Sequence, residues 1–300
     1  MDSTLDVDGT PVPVTNLGKV FYPRTGFTKG EVIDYYVRIS PVLLPHIESR
    51  PISLKRYPDG VEGQFFYEKQ CPSHAPKWIR TRRVAKSDGK IDYCVLDDLR
   101  SLVWAANLAN LEFHSFQHRG RALTRPTALV LDLDPGPPAD VRQCCEVALI
   151  LNTVLGNLDL QSFPKTSGSK GLQIVVPLNT NVTYSRTKAF AHVLAKLLEE
   201  RHPKLIVSRM QKSLRTGKVL IDWSQNDAKK TTVTAYSLRA RDEPTVSTPV
   251  TWDEVATSLK RKTPLRFTAA QVLKRVEKQG DLHSPVLTLR QTLRDRKQVA

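Results

Sequence analysis

The clearest alternation of apolar and charged positions along the chain lies in LVLDLDPG, residues 129–136, where four apolar side chains surround Asp132 and Asp134. On a strand, successive side chains point to opposite faces, so both carboxylates project from one face while the leucines pack the other. Two unit charges about 6 Å apart repel by about 3 kcal/mol at an effective dielectric near 20. A strand that keeps this pair is expected to hold a compensating cation.

Helical periodicity is visible in several other segments. Thr28 and Glu31 form a capping box ahead of VIDYYVRI, which predicts a helix over about 29–40. Further helices are expected over about 139–155 and from Ser185 onward. After Glu243-Pro244 the pattern predicts two short helices with capping boxes, followed by a basic tail.

Strand patterns alternate with these helices. They are ISLKRYP, GQFFYEK, LEFHSF, GLQIVVPL, LIVSRM, KVLIDWS and TVTAYSLRAR. Mixed strands and helices of this kind indicate α and β structure in one globular chain. The sharpest candidate boundary is RGRALTRP near residue 120, which divides an N-terminal module, 1–120, from a carboxylate-bearing part, 121–300.

Charge adds a partner class to this picture. The chain carries 45 Lys and Arg against 30 Asp and Glu, a formal net charge of +15. This balance favours a polyanion such as nucleic acid, although a membrane surface or an excess of solvated lysines would also fit it.

Other features of the sequence concern its compartment. No run approaches the roughly 18 apolar residues of a spanning helix, and the first residues are acidic and polar, so we expect neither a membrane span nor a secretory signal, and a cytoplasmic location. The cysteines show no disulfide-framework spacing, so four free thiols are expected.

A third acid, Asp222, ends the apolar run of KVLIDWS much as Asp132 follows its own run. Three carboxylates at strand ends fit a site for two Mg²⁺ or Mn²⁺ ions, which relieve the repulsion, orient a triphosphate and activate an attacking hydroxyl. A DxD pair alone is more often an exposed turn, a helix cap or a structural pair. The neighbouring motifs therefore decide between these interpretations.

The chief neighbour is KTSGSKGLQ, residues 165–173. Its glycines allow close backbone approach, and Ser167, Ser169 and Lys170 offer donors to phosphate oxygens. It is not a Walker A loop, because GxxxxGK[ST] is absent and the order is turn then strand. The alternative for such a turn is a plain hairpin.

The order of motifs along the chain then carries a family resemblance. The motifs are NLGKVFYPRTGFTKGEVIDYY, RPISLKRYPDG, FFYEKQ, LEFHSF, LVLDLDPG, KTSGSKGL, KSLRTGKVLIDWSQN and YSLRAR. They resemble the polymerase domain of bacterial ligase D, a member of the archaeo-eukaryotic primase superfamily that serves non-homologous end joining. The resemblance implies an α+β fold: a primase-like catalytic core of two β-sheets with flanking helices, including an RRM-like unit, plus a packed N-terminal α/β module.

Residue by residue, the resemblance implies three sets of roles. The catalytic and metal-binding set is Asp132, Asp134 and Asp222. The nucleotide-binding set is Lys55, His114, Ser167, Ser169, Lys170, Gln173 and Arg239. The set for DNA and its 5′-phosphate is Lys19, Lys29, Phe65 and Phe66. Taken singly, the histidine also fits a hydrogen-bonded structural role, the two 5′-phosphate lysines a wet surface and the phenylalanines a core position.

One position departs from the family pattern. The second motif of the family ends SGSKGLH, and Gln173 stands where the histidine is expected. Glutamine can donate a hydrogen bond but cannot carry charge. The departure implies weaker nucleotide binding, or compensation through Lys170 and the basic strands.

The resemblance implies a template-dependent nucleotidyltransferase that fills gaps and extends 3′-ends at double-strand breaks. It would use two Mn²⁺ or Mg²⁺ ions and NTP or dNTP substrates, with ribonucleotides preferred and with terminal transferase activity. The partners implied are DNA ends with a 5′-phosphate, Ku and an ATP-dependent DNA ligase, in a bacterial, nucleoid-associated setting. Two alternatives stay open: a DNA-end-binding or synapsis module with weak or lost catalysis, and a primase.

Overall fold

The computed structural model of the chain describes residues 3–86, 89–120 and 122–293. The strands are β1 (Ser3–Val7), β2 (Thr10–Val14), β3 (Val20–Tyr22), β4 (Phe27–Thr28), β5 (Ile52–Arg56), β6 (Phe66–Glu68), β7 (Arg80–Lys86), β8 (Gly89–Val95), β9 (Asn110–Ser115), β10 (Ala128–Pro135), β11 (Phe163–Thr166), β12 (Leu172–Pro177), β13 (Ile206–Val207), β14 (Val219–Asp222), β15 (Thr232–Val233), β16 (Leu238–Arg239) and β17 (Thr245–Val246). The helices are α1 (Lys29–Ile47), α2 (Leu99–Asn107), α3 (Val141–Asn157), α4 (Tyr184–Arg201), α5 (Trp252–Arg261), α6 (Ala269–Gln279) and α7 (Ser284–Thr288). Short 3-10 turns cover Lys212–Leu214 and Trp223–Gln225.

Backbone contacts divide the chain into two compact units. The first unit takes in the described part of residues 1–121 together with 231–247 and 267–280. The second unit takes in the remaining described residues. The sequence-based division at residue 120 places 231–247 and 267–280 in the C-terminal part, whereas their contacts assign them to the first unit.

The first unit is built on a sheet with strand order β15-β9-β5-β8-β7, with β6 also paired to β5. Helix α1 begins at the predicted capping box of Thr28 and Glu31 and runs beyond the predicted end, to Ile47. The Tyr36 hydroxyl donates to the Leu111 carbonyl at 2.6 Å, and its ring packs edge-on against Phe113. This contact joins α1 to β9, whose six residues are all buried.

The second unit is built on a sheet with strand order β11-β12-β10-β14-β13. All of its pairs are antiparallel except β13 with β14. The alternation of β10 confirms the prediction for LVLDLDPG, because Leu129, Leu131 and Leu133 are fully buried and the two aspartates occupy the intervening positions. Helix α3 contacts β10, β12 and β14 and so covers the centre of the sheet.

The segment TVTAYSLRAR was expected to form a single strand, and this expectation is wrong. It forms β15, which pairs with β9, and β16, which pairs with β17. Between them Tyr236 adopts a left-handed φ of 66°, which an extended strand does not allow. The Tyr35 hydroxyl donates to the Tyr236 carbonyl at 2.8 Å inside the core, which stabilises this turn.

The cysteines also differ from expectation. Cys71 and Cys94 form a disulfide with their Cα atoms 5.0 Å apart, so the expectation of four free thiols is wrong for this pair. The Cys71 N–H donates to the Asp92 carbonyl at 2.7 Å, which brings the segment after β6 alongside β8. A pairing across 23 residues arises from this tertiary contact and leaves no signal in the spacing. Cys144 and Cys145 are free and buried in α3, as expected.

Among the described residues, no helix combines the length and apolar character needed to cross a membrane.

The side chain of Asn226 bonds to Val130 of β10, beyond the residues of β10 that pair with β14. We expect these bonds to contribute to stability. Its buried side chain accepts from the Val130 N–H at 2.9 Å and donates to the Val130 carbonyl at 2.7 Å. Asn226→Ala leaves both buried backbone groups unpaired, so we expect it to lower the free energy of unfolding by about 2–4 kcal/mol. Urea unfolding followed by circular dichroism measures this change. The exposed Asn181→Ala is the control. We call the two bonds to Val130 the Asn226 clamp, and a loss below about 0.5 kcal/mol for Asn226→Ala would show that this clamp does not stabilise the sheet.

Candidate catalytic and nucleic-acid-binding sites

Strand register in the second unit places four polar side chains in one row across the sheet. Asp132 on β10 is opposite Gln173 on β12 and opposite Asp222 on β14, and Lys165 on β11 is opposite Gln173. Asp134 lies two residues further along β10 and therefore on the same face. The structure thus brings the three predicted carboxylates together, along with Lys165, which sequence reasoning missed.

The ionisation of Asp132 reflects this crowding. Burial raises the pKa of Asp132 to about 7, with further upward contributions from the charges of Asp134 and Asp222. A hydrogen bond from Gln173 and the charge of Lys165 oppose the rise only in part. Lys165 and Gln173 are themselves almost fully buried. Asp132 is therefore a carboxyl whose negative charge is incompletely compensated by the protein.

Asp222 is held at both of its carboxylate oxygens. The Ser224 N–H and hydroxyl donate to Oδ1 at 2.9 and 2.5 Å, and Gln225 Nε2 donates to Oδ2 at 3.0 Å. The Lys230 ammonium donates in turn to the Ser224 hydroxyl. These donors fix the orientation of the carboxylate. In the sequence, these donors could have been recognised from Ser224 and Gln225, which follow Asp222 by two and three residues.

The chemistry of these groups fits hard divalent cations. Among the described residues, no group of three or more His, Cys, Asp or Glu side chains is arranged to hold a metal ion as it stands. Carboxylate oxygens are nevertheless the ligands that Mg²⁺ and Mn²⁺ prefer. Asp132, Asp134 and Asp222 supply them on one face, where the raised pKa of Asp132 indicates negative charge that a cation would relieve.

The KTSGSKG loop is the connection between the antiparallel strands β11 and β12, and Ser167 organises it from within. The Ser167 hydroxyl accepts from the N–H groups of Ser169 and Gly171 at 3.2 and 3.1 Å. Lys170 is exposed and Ser169 half-buried, so these two side chains reach the surface. A Cβ at Gly171 would overlap the Leu133 carbonyl oxygen, because the loop passes directly against β10. The loop is thus a hairpin that touches the carboxylate strand.

In the first unit, the predicted nucleotide-binding residues meet at a buried carboxylate that sequence reasoning did not assign. Glu112 Oε2 lies 2.9 Å from His114 Nε2 and 3.2 Å from Arg239 Nε, and Oε1 lies 3.5 Å from Lys55 Nζ. The Tyr57 hydroxyl lies 3.4 Å from Oε1. We call these five residues the Glu112 cluster. Its members come from β5, β9 and β16 and the residue after β5, so only the fold assembles them.

The negative charge of Glu112 is compensated by its neighbours. Burial alone would raise the pKa of Glu112, but the His114 hydrogen bond and the charges of Arg239 and Lys55 hold that pKa well below its usual range. Burial lowers the pKa of His114, which indicates a neutral imidazole at pH 7. Burial also lowers the pKa of Lys55. The cluster therefore sets one buried carboxylate against the basic side chains of Lys55 and Arg239.

An aromatic surface lies beside this cluster. Phe65, Phe66 and Tyr67 are 52%, 44% and 49% exposed, which excludes the core position that either phenylalanine could have taken. The Lys55 ammonium lies 4.2 Å from the centre of the Phe65 ring, and the Arg56 guanidinium lies 5.2 Å from that of Phe66. Exposed rings next to cations suit the stacking of bases in single strands.

The two lysines predicted to bind a 5′-phosphate line one pocket of about 260 Å³ in the first unit. Lys19 Nζ donates to Asp59 at 2.9 Å, and the buried Lys29 donates to the Thr15 hydroxyl at 3.2 Å. Arg56 also lines the pocket. Burial, with the nearby charges of Lys19 and Arg56, lowers the pKa of Lys29 to about 8. A pocket that concentrates cations in this way suits an anionic group.

Comparison with a solved structure identifies the fold. The chain is similar to the "Polymerase Domain from Mycobacterium tuberculosis Ligase D in complex with DNA", with a TM-score of 0.87 and 39% sequence identity over 93% of this chain and 98% of that chain. The match confirms the predicted α+β, primase-like fold. Fold and carboxylate row together define a nucleotidyltransferase of the primase and polymerase class.

Sequence comparisons identify the family. Residues 28–283 match the family model described as the LigD primase-polymerase domain. The chain is 44% identical over 277 residues to the multifunctional non-homologous end joining protein LigD of Mycolicibacterium smegmatis, and 33% identical over 269 residues to the bifunctional LigD of Bacillus subtilis. The chain therefore belongs to the LigD primase-polymerase domain family, as the resemblance predicted.

These alignments cover 92% and 89% of this chain but only 36% and 42% of the two relatives. The chain thus spans well under half the length of the curated relatives that it matches.

Repulsion at Asp132 predicts a gain in stability when its charge is removed. Because the pKa of Asp132 in the folded state, about 7, lies above the unfolded value, the penalty is absent below about pH 4 and complete above about pH 7. In EDTA we expect Asp132→Asn to raise the free energy of unfolding by about 2 kcal/mol at pH 8, and by less at pH 5. Denaturant unfolding at both pH values measures the difference, with the exposed Asp253→Asn as control. A variant that loses stability at pH 8 would show that the charge is already compensated.

Proposed function

We propose that this chain is the nucleotide-adding module of a bacterial non-homologous end joining protein, which fills gaps and extends 3′-ends at DNA breaks. The observation that carries the proposal is the register of Asp132 against Asp222 with Asp134 on the same face. Family membership and the similarity to a polymerase domain in complex with DNA support it.

Asp132, Asp134 and Asp222 are proposed to hold two Mn²⁺ or Mg²⁺ ions and so to be the catalytic residues. When bound, such ions supply activation of the 3′-hydroxyl and neutralisation of the leaving pyrophosphate. Ser224 and Gln225 keep the Asp222 carboxylate in a single orientation. Gln173 orients Asp132 through its hydrogen bond, in the position where the family pattern has histidine.

Two further groups are proposed to bind the incoming NTP or dNTP. In the second unit these are Ser167, Ser169 and Lys170 of the β11–β12 loop, with Gln173 beside them on β12. In the first unit they are Lys55, His114 and Arg239 of the Glu112 cluster. Arg and Lys side chains already stripped of most of their solvent bind phosphate oxygens strongly, because charge-assisted hydrogen bonds strengthen where water is excluded. The family resemblance adds two properties to this proposal: a preference for ribonucleotides and terminal transferase activity.

Recognition of the DNA end is proposed to lie in the first unit. Lys19 and Lys29 would hold the 5′-phosphate in their pocket, while Phe65 and Phe66 stack on template bases. Each stacked base contributes about 1–3 kcal/mol. Ku and an ATP-dependent DNA ligase are proposed as partners in the bacterial cytoplasm, because the longer relatives are end joining proteins.

Templated gap filling tests the catalytic proposal. A labelled primer on a gapped template with a downstream 5′-phosphate is incubated with Mn²⁺ and four NTPs. We expect templated addition by the wild type and a loss of at least about a thousandfold in Asp132→Ala, because the cations lose a central ligand. Asp253→Asn, on the exposed side of α5, should match the wild type. Gln173→His should increase the rate if the histidine of the family pattern contributes charge.

A second candidate, a DNA-end-binding module with weak catalysis, is favoured by Gln173 and by the lysine pocket, which does not depend on the carboxylates. It would replace the first if the wild type adds no nucleotide yet binds gapped DNA tightly in a 5′-phosphate-dependent way. Synthesis on an unprimed single strand would instead indicate a primase.

The lowered pKa of Lys29 predicts a pH dependence of end recognition. The ammonium is charged below pH 8 and neutral above it, so the preference for a 5′-phosphate over a 5′-hydroxyl end should fall about tenfold from pH 7 to pH 9. Fluorescence anisotropy with the two DNA ends measures this preference. Lys29→Ala should abolish it at both pH values, whereas the exposed Lys260→Ala should keep it. Equal weakening of both ends in Lys29→Ala would refute a phosphate-specific role.

A further inference from the structure

The Glu112 carboxylate makes more contacts with charged or titratable side chains than a structural ion pair requires. Its oxygens face Lys55 on β5, His114 on its own strand and Arg239 on β16, and Oε1 also accepts from the Ala240 N–H at 3.1 Å. The Glu112 side chain is 2% exposed, so it cannot itself touch a substrate. It can act only through the residues around it.

Without Glu112, two of the side chains around it would repel each other, and neither would be confined to one conformation. Those of Lys55 and Arg239 are 13% and 14% exposed, so two cations are concentrated where little water screens them. Long basic side chains also have several rotamers of similar energy. A shared carboxylate both offsets the repulsion and selects one rotamer of each, since both cations approach the same group.

Neighbouring rings complete the confinement of Lys55. Its ammonium lies 5.2 Å from the centre of the Tyr57 ring and 4.2 Å from that of Phe65. Tyr67 packs its ring edge-on against His114. The positions of Lys55 and His114 are thus defined from several directions, and Glu112 contacts Lys55, His114 and Arg239 alike.

We propose that Glu112 is a positioning residue for the incoming triphosphate, holding Lys55, His114 and Arg239 in their binding orientation before the nucleotide arrives. The inference rests on the proposed function, which assigns these three residues to the nucleotide. Two cations against one anion leave a net positive charge, so the cluster stays attractive to a triphosphate. Preorganisation of this kind strengthens binding because less side-chain entropy is lost when the ligand arrives.

Equilibrium binding of ATP tests the inference without turnover. The protein is saturated with gapped DNA whose primer ends in a 2′,3′-dideoxynucleotide, and ATP with Mn²⁺ is titrated calorimetrically. We expect Glu112→Gln to raise the Kd for ATP at least about tenfold, while the affinity for the gapped DNA stays unchanged. Glu112→Asp, which keeps the charge on a shorter side chain, should give a Kd for ATP between those of the wild type and Glu112→Gln. Glu199→Gln removes a carboxylate that binds Ser208 and Arg209 in the second unit, and it should match the wild type.

A double-mutant cycle separates positioning from general stability. If Glu112 acts through Lys55, then Lys55→Met should weaken ATP binding strongly in the wild type and much less in Glu112→Gln. Additive losses would overturn the inference, as would a Kd within about twofold of the wild type in Glu112→Gln. Should Glu112→Gln fail to fold, the same cycle is run on Glu112→Asp, and wild-type affinity there would overturn the inference.

The assay also distinguishes this inference from the proposed function. A wild type that binds ATP but fills no gap would refute the proposed function and leave the comparison of affinities intact. A wild type without saturable ATP binding would overturn the inference itself.

Discussion

Repulsion among three carboxylates on one face of a sheet is the constraint on which the second unit depends. Asp132 is on a central strand between Gln173 and Asp222, so neither its backbone nor its register can relax to separate the charges. The fully buried leucines of the opposite face and the Asn226 clamp hold β10 in this register. The packing of the unit thus maintains an arrangement that is unfavourable by itself, as is common where stability is sacrificed for activity.

The first unit handles charge in the opposite way. There the negative group, Glu112, is the buried centre, and it offsets the repulsion between the positive groups of Lys55 and Arg239. The second unit leaves negative charge open to an added cation, whereas the first leaves a small surplus of positive charge. A site of the first kind, with open negative charge, suits divalent cations, and a site of the second kind, with surplus positive charge, suits an anion.

Local sequence patterns predicted much of the fold. Period-two alternation identified β10, and the Thr28 capping box identified the start of α1, because both depend only on near neighbours in the chain. The carboxylate triad was also predictable, since acids that end apolar strands are visible one strand at a time.

Features that depend on distant pairing could not be read in this way. Lys165 joins the carboxylate row only through the register of β11 with β12, and Glu112 gathers residues from separate segments. The Cys71–Cys94 bond and the left-handed Tyr236 likewise follow from tertiary contacts. In each case the residue type was ordinary for its local pattern, and its role comes from residues on other strands or segments.

The close passage of the β11–β12 loop over β10 has a consequence for how this family can vary. The Leu133 carbonyl oxygen that a side chain at position 171 would strike lies between Asp132 and Asp134 in the chain. Any larger residue there would push on the backbone that sets the spacing of the two acids. The separation of the carboxylates is therefore also sensitive to the steric demand at one glycine, which couples changes in the loop to the strand that carries Asp132 and Asp134.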